Sequence, residues 1–201
     1  MEKDEPLVEH WDPHEWLRDE DEAKPTRGAD TAKRRRIERV RPALPIVEHW
    51  GLDPLFWTHV KLFIGDALTN LPLSEPDATE PFNLNGHPVT RVAVMGIIVE
   101  ALPRPRHLAL SVDDGTGRIQ CAYYANSVDE GGVPYSDLQV GCLASIQGKL
   151  HHFRQQRSIA IYRIGIEEDP NAETQHMLDV VRLGETIYQR PSPVSAFSRS
   201  G

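Results

Sequence analysis

Residues 87–167 hold five apolar, β-branched runs parted by turn signals, at 89–101, 107–112, 117–124, 142–153 and 157–166. Several alternate with period two, which sends one row of side chains to a core and the other to an outer face. Val92, Val94 and Ile98 share a face in the first run, Leu108, Leu110 and Val112 in the second, and Ile119, Cys121 and Tyr123 in the third. Three runs, a turn-rich gap and two more runs within about eighty residues suit a small closed barrel. The chain is therefore expected to be mainly β.

Apolar periodicity is confined to 52–188 of the 201 residues, so one domain is expected. The division is a disordered leader at 1–45, an N-terminal helix and linker at 46–86, the barrel with a C-terminal helix at 87–190, and a disordered tail at 191–201. A formal net charge of -8 excludes a protein that coats polyanions with its whole surface. Any nucleic-acid binding must come from a local groove. Cys121 and Cys142 each fall within a strand-like run and are expected to be reduced core residues. No apolar segment approaches the length of a membrane span.

The leader is strongly acidic over 1–32, and Trp11 and Trp16 stand in it as W-D-P-H-E-W, a chance pair or a partner-docking motif. His10 and His14 are four apart, but Pro13 between them disfavours the helix that would align them on a metal. Lys33, Arg34, Arg35, Arg36, Arg39 and Arg41 then form a basic cluster: a nuclear localisation signal, an electrostatic arm or a solvated charge run. Over 50–71 the spacing predicts a helix, with Asp53 as N-cap, Pro54 at the first helical position, and Leu55, Phe56, Val60, Phe63, Ile64, Ala67 and Leu68 on its core face. Asn85–Gly86 predicts a tight turn into the first strand.

Gly96, central in a long apolar run, suits a strand that bends to serve both halves of a barrel. L-P-R-P-R at 102–106 reads as a stiff loop carrying Arg104 and Arg106. D-D-G-T-G at 113–117 offers paired carboxylates, yet Asp-Gly between alternating strands is a hairpin signal, and the turn is the reading taken. Residues 125–141 are loose, with a turn or helical stub near 136–139. The fourth run sets Ala144, Ile146 and Leu150 against Ser145, Gln147, Lys149 and His151, and F-R-Q-Q-R at 153–157 is the next hairpin loop. His151 and His152 point oppositely, so they do not share a metal. Beyond 170, Met177, Val180, Val181, Gly184, Ile187 and Tyr188 form a stripe on a final helix. That stripe packs on its own barrel or receives a partner helix at the small Gly184.

W-G-L-D-P-L-F running into V-K-L-F-I, then N-G-H-P-V-T-R-V-A-V-M-G, V-D-D-G-T-G-R-I-Q-C and a final helix ending in E-T-I-Y occur here in one order. Over 50–191 the chain resembles the Stn-one family, the middle subunit of the telomere-capping CST complex, itself similar to the middle subunit of replication protein A. The resemblance implies a five-stranded oligonucleotide-binding (OB) Greek-key barrel flanked by helices. It implies binding of single-stranded G-rich telomeric DNA and pairing with a small Ten-one OB-fold subunit, mainly through the C-terminal helix and barrel face. It also implies association with the large CST subunit, contact with DNA polymerase α-primase in C-strand fill-in, and a place at nuclear telomeres. The leader before Trp50 lies outside the family pattern, and the winged-helix region found in many members is not in this sequence.

A single strand on such a barrel needs aromatic faces for bases and cations for phosphates, on the second and third strands and the two loops beside them. The residues at those places are Arg104, Arg106, His107, Tyr124, Lys149, His151, Phe153, Arg154 and Arg157. Tyr124 stands where the family carries a base-stacking aromatic. No catalytic constellation, metal-ligand spacing or phosphate-cradling glycine loop is present, so no enzyme, cofactor or metal is expected. Two other readings stay open: a general single-strand-binding subunit like that of replication protein A, and a protein-interaction scaffold.

Overall fold

The structure, a computed structural model, describes residues 44, 47–73, 81–124 and 133–194. The tryptophan pair of the leader and the basic cluster Lys33, Arg34, Arg35 and Arg36 lie outside the described residues.

The single helix expected over 50–71 is instead four short pieces: a 3-10 helix at Val47–Leu52, helix α1 (Pro54–Trp57), strand β1 (Val60–Lys61) and helix α2 (Ile64–Thr69). Asp53 does cap α1, its carboxylate accepting the Leu55 N–H at 2.9 Å. The helix stops after one turn because the chain turns extended at Thr58 and Val60 pairs in parallel with Val92 of the barrel. A β-branched residue gains more from that strand contact than from a second helical turn. α2 restarts where the Asp114 side chain accepts the Ile64 N–H at 2.8 Å. Leu55, Val60, Ile64 and Ala67 still reach the core, so the apolar face was legible and the element was not.

Strands β2 (Phe82–Leu84) and β3 (His87–Val89) form a hairpin about Asn85 and Gly86, whose φ angles of 53° and 92° are the left-handed pair that the Asn-Gly signal foretells. The barrel follows: β4 (Arg91–Pro103), β5 (Leu108–Asp113), β6 (Arg118–Tyr123), β7 (Leu143–Phe153) and β8 (Gln156–Ile166). Its order is β4-β5-β6-β8-β7, and β7 returns to β4 to close the cylinder. Only β6 and β8 run parallel among these pairs. This is the five-stranded OB barrel that the runs foretold.

β4 belongs to both halves. Arg91–Ile97 pairs with β7 and Ile97–Pro103 with β5, with a bulge between Ile98 and Glu100. A Cβ on Gly96 would lie 2.6 Å from the Asp113 carbonyl oxygen, so the bend needs glycine. The predicted core residues Val92, Val94, Ile98, Leu110, Val112, Ile119, Cys121 and Tyr123 are all buried. Burial pushes the Cys121 thiol well above its ordinary range, whereas Cys142 is only partly buried and packs against the margin of the core. The D-D-G-T-G segment is a turn, with Gly115 at φ 81° and Asp114 holding the Thr116 N–H and hydroxyl as well as Ile64.

Helix α3 (Ala172–Leu183) continues into a π-helical turn at Gly184–Tyr188 and is tied to β1 by Lys61 and Asp179 at 2.7 Å. Of the residues expected to form a disordered tail from 191, the structure describes 191–194. Ser192 and Val194 are buried, and the Ser192 hydroxyl donates to Asp53.

Candidate nucleic-acid interface

Alternation that buries Leu108, Leu110, Ile119, Cys121 and Leu150 turns their neighbours to the outside of the barrel. The register assembles those neighbours into rows across β5, β6, β8 and β7: Ala109, Ala122, Ala160 and Lys149 in one, Ser111, Gln120, Ser158 and His151 in the next. Ala122, Ala160, Ser111 and Ser158 are short and buried. Sequence reasoning did not single out this floor of small side chains, although Ala and Ser at alternate positions of apolar runs was its signal.

The predicted binding residues stand around that floor. His107, just before β5, and Tyr124, just after β6, stand side by side, with ring centroids 5.2 Å apart. The loop between β4 and β5 is closed by the Arg104 N–H donating to the His107 carbonyl at 2.9 Å, and Arg106 is exposed on it. At the other loop, Phe153 and Arg154 pair, the guanidinium carbon 5.1 Å from the ring centroid. That loop is only Arg154 and Gln155, at φ 48° and 65°, tighter than the five-residue segment expected. Both residues accept a left-handed backbone that favours glycine, and the result is an exposed arginine at the tip of a hairpin.

Three of the expected contacts are corrected. Arg157 turns away from the groove: its guanidinium donates to the carbonyls of Ala67 and Leu71 at the end of α2 and lies 5.0 Å from the Phe82 ring centroid. Burial lowers its pKa, and its charge serves the C-terminal end of that helix. His107 and His151 are 7% and 6% exposed, and they offer little surface to a ligand. Tyr124, Lys149, Phe153, Arg104, Arg106 and Arg154 remain on the accessible face.

The stripe on the last helix is divided. Val180 and Tyr188 are buried against their own chain and Met177 and Gly184 are half-buried, while Val181 and Ile187 are 50% and 42% exposed. Leu178, 60% exposed and not part of the expected stripe, extends the outer apolar surface one turn from Val181. Among the described residues no group of three or more His, Cys, Asp or Glu is placed to hold a metal ion, and no helix is long and apolar enough to cross a membrane.

A closed five-stranded barrel, two loops carrying arginine beside partly buried aromatic rings, and a trailing helix define an OB-fold module. The chain is similar to the curated CST complex subunit STN1 of several species. It is 26% identical to that of Ailuropoda melanoleuca over 167 residues, 71% of this chain and 45% of that one. It is 28% identical to that of Arabidopsis thaliana over 149 residues, 66% of this chain and 92% of that one. The chain thus spans less than half of the first relative and nearly all of the second. Among solved structures, the S. pombe Stn1–Ten1 complex superposes with a TM-score of 0.55 at 17% identity over 70% of this chain and 98% of that one. A replication protein A heterotrimer bound to single-stranded DNA superposes with a TM-score of 0.55 at 23% identity over 66% of this chain and 99% of that one. These likenesses establish the fold, and no family model matches the chain.

Proposed function

We propose that this chain is the OB-fold subunit of a CST-type telomere-capping assembly, a binding protein rather than an enzyme. Its barrel holds single-stranded G-rich telomeric DNA between the Arg104–Arg106 loop and the Arg154 hairpin, and Tyr124 stacks a base. Its trailing helix receives a small OB-fold subunit of the Ten-one type on Leu178, Val181 and Ile187, and the large CST subunit completes the assembly. In the nucleus, at telomeres, such an assembly protects the end and supports C-strand fill-in with DNA polymerase α-primase.

The observation that carries the reading is the placement of Tyr124 at the edge of a small-residue floor, beside His107 and the Arg104–Arg106 loop, in a chain similar to STN1 proteins. Stacking contributes roughly 1–3 kcal/mol per base. With the histidines enclosed and Arg157 engaged elsewhere, few cations remain, so the isolated chain binds weakly and the assembly binds tightly. The same count of cations favours a second reading, in which the barrel is a protein scaffold.

The test is co-expression with a small OB-fold subunit, followed by size-exclusion chromatography and filter binding. A stable heterodimer that prefers G-rich telomeric repeats over mixed sequence supports the first reading, and lack of preference supports a general single-strand binder. Assembly with DNA affinity unchanged by charge reversal at Arg104, Arg106 and Arg154 supports the scaffold. Val181→Glu abolishes co-purification while the barrel stays folded. Its apolar contact survives moderate salt, because it is driven by buried area rather than charge. Retained co-purification removes the helix from the interface.

A further inference from the structure

A second aromatic and cationic cluster lies on the barrel away from the Arg154 hairpin. Arg91 on β4 and Lys149 on β7 are cross-strand partners. Opposite them, β7 pairs Gln147 with Arg163 and Gly148 with Ile161, leaving Tyr162 as the extra residue of a bulge. Such a bulge turns a side chain outward, and Tyr162 is 45% exposed. α1 brings Trp57 to the same place, and with Trp50 and Phe56 these side chains line a recess of about 420 Å³.

Trp57 is held on several sides and open on the rest. Its indole N–H donates to the Gly51 carbonyl at 2.9 Å, its ring meets Phe56 edge-on at 5.0 Å, and the Arg91 guanidinium lies 5.9 Å from its centroid. Even so, 59% of the residue is exposed. An indole already fixed in place loses little conformational freedom when a ligand stacks on it. Two cations beside it select an anionic ligand that carries flat apolar faces, which is the chemistry of a nucleotide.

The recess and the Arg154 hairpin share strand β7. Lys149, His151 and Phe153 alternate along the outer side of β7, and the four residues from Phe153 to Lys149 span roughly 13 Å. A strand held at the Arg154 hairpin therefore reaches the recess by following β7.

We propose that this recess is a second nucleic-acid subsite, taking a base of a single strand that leaves the barrel groove along β7, with Trp57 and Tyr162 stacking the base and Arg91 and Lys149 holding its phosphate. The inference rests on the single-strand reading of the groove. It extends the bound length beyond what the two loops cover, and it makes binding depend on strand length.

The experiment uses the full chain and fluorescein-labelled single strands of increasing length, read by anisotropy. Trp57→Ala lowers affinity about 5- to 150-fold for strands long enough to span both places, and leaves the shortest strands unaffected. A photoreactive uracil at one end of a long strand cross-links the wild-type chain at Trp57 or Tyr162, which supports the subsite even where a variant folds poorly. If Tyr124→Ala weakens binding while Trp57→Ala and Tyr162→Ala do not at any length, the subsite is overturned and the groove stands. If the wild-type chain binds no strand, both readings fall. If the Trp57 variant keeps its strand affinity but loses a protein partner, the recess is a peptide site and the proposal fails.

Discussion

The Asp53 carboxylate and the His87 imidazole meet 2.8 Å apart, Oδ2 to Nδ1, with both side chains almost wholly removed from solvent. The Ser192 hydroxyl donates to the same oxygen, and His87 Nε2 lies 2.9 Å from the Arg190 carbonyl. Asn85 adds a hydrogen bond from its side-chain amide to the Tyr188 carbonyl at 3.0 Å. W-G-L-D-P, N-G-H-P and the residues after E-T-I-Y, distant in the chain, thus converge on one buried polar knot. Its role is to fasten the first and last described segments to the β2–β3 hairpin.

His87→Ala removes the imidazole that joins the buried Asp53 carboxylate to the Arg190 carbonyl, leaving Ser192 as the remaining partner of Asp53 Oδ2. Taking one hydrogen-bonding partner out of a buried polar cluster costs about 1–3 kcal/mol, so the urea midpoint falls by the equivalent amount with an unchanged slope. A midpoint equal to that of the unmodified chain would count against the knot as a stabilising element.

Tyr124→Ala is expected to weaken single-strand binding by about 1–3 kcal/mol without altering its salt dependence, because stacking is lost and no charge is. Arg106→Ala has the opposite signature: the slope of log affinity against log salt shrinks by about 0.7, the value for one phosphate contact on a single strand. Titrations at several salt concentrations separate the two, and identical salt slopes in all three proteins would remove Arg106 from the phosphate path.

Arg157→Ala, by contrast, acts on stability. It deprives the Ala67 and Leu71 carbonyls of a charged donor and uncovers Phe82, at a cost of roughly 1.5–3 kcal/mol for each charged hydrogen bond. Arg157→Lys restores little, since one ammonium does not reproduce the two-pronged contact. Thermal unfolding reads the loss, and strand affinity measured well below the melting temperature stays as it was.

Acid lowers stability through His176. Burial pushes this imidazole below its ordinary 6.5, outweighing the hydrogen bond to the Leu62 backbone that favours its charged form. The unfolded chain then takes up its proton at a higher pH than the folded chain does. Stability is complete above the unfolded value and declines as pH falls through it towards the folded one. His152 and His59, also lowered by burial, slope the same way. Melting temperatures followed from about pH 8 down to about pH 5 decline on the acid side, and His176→Gln makes that decline shallower. An identical acid limb in the variant would exclude His176 as a source.

Much of the barrel could be read because its signals are local. Asn85–Gly86, Asp114–Gly115 and the alternation about Leu110 and Cys121 each depend on neighbours within a few residues, and the structure keeps every one. The failures needed partners far along the chain. Nothing near Val60 announces that Val92 will draw it out of a helix, and nothing near Arg157 announces the carbonyls of α2. His107 and His151 fall on the outward alternation of β5 and β7 as expected, yet both are buried, and alternation alone does not report what the rest of the chain covers. The division of the last helix, Val180 inward and Val181 outward, likewise follows from where β1 and β4 lie beneath it.

Because β7 returns to β4, the five barrel strands hydrogen-bond to one another all the way round. Adding a strand to the cylinder itself would require unzipping a ladder already made, so a partner that meets the cylinder would dock through helices, hairpin tips and exposed rings. Selectivity in assembly is then written in side chains, where single substitutions can retune one liaison without unravelling the cylinder that supports them all.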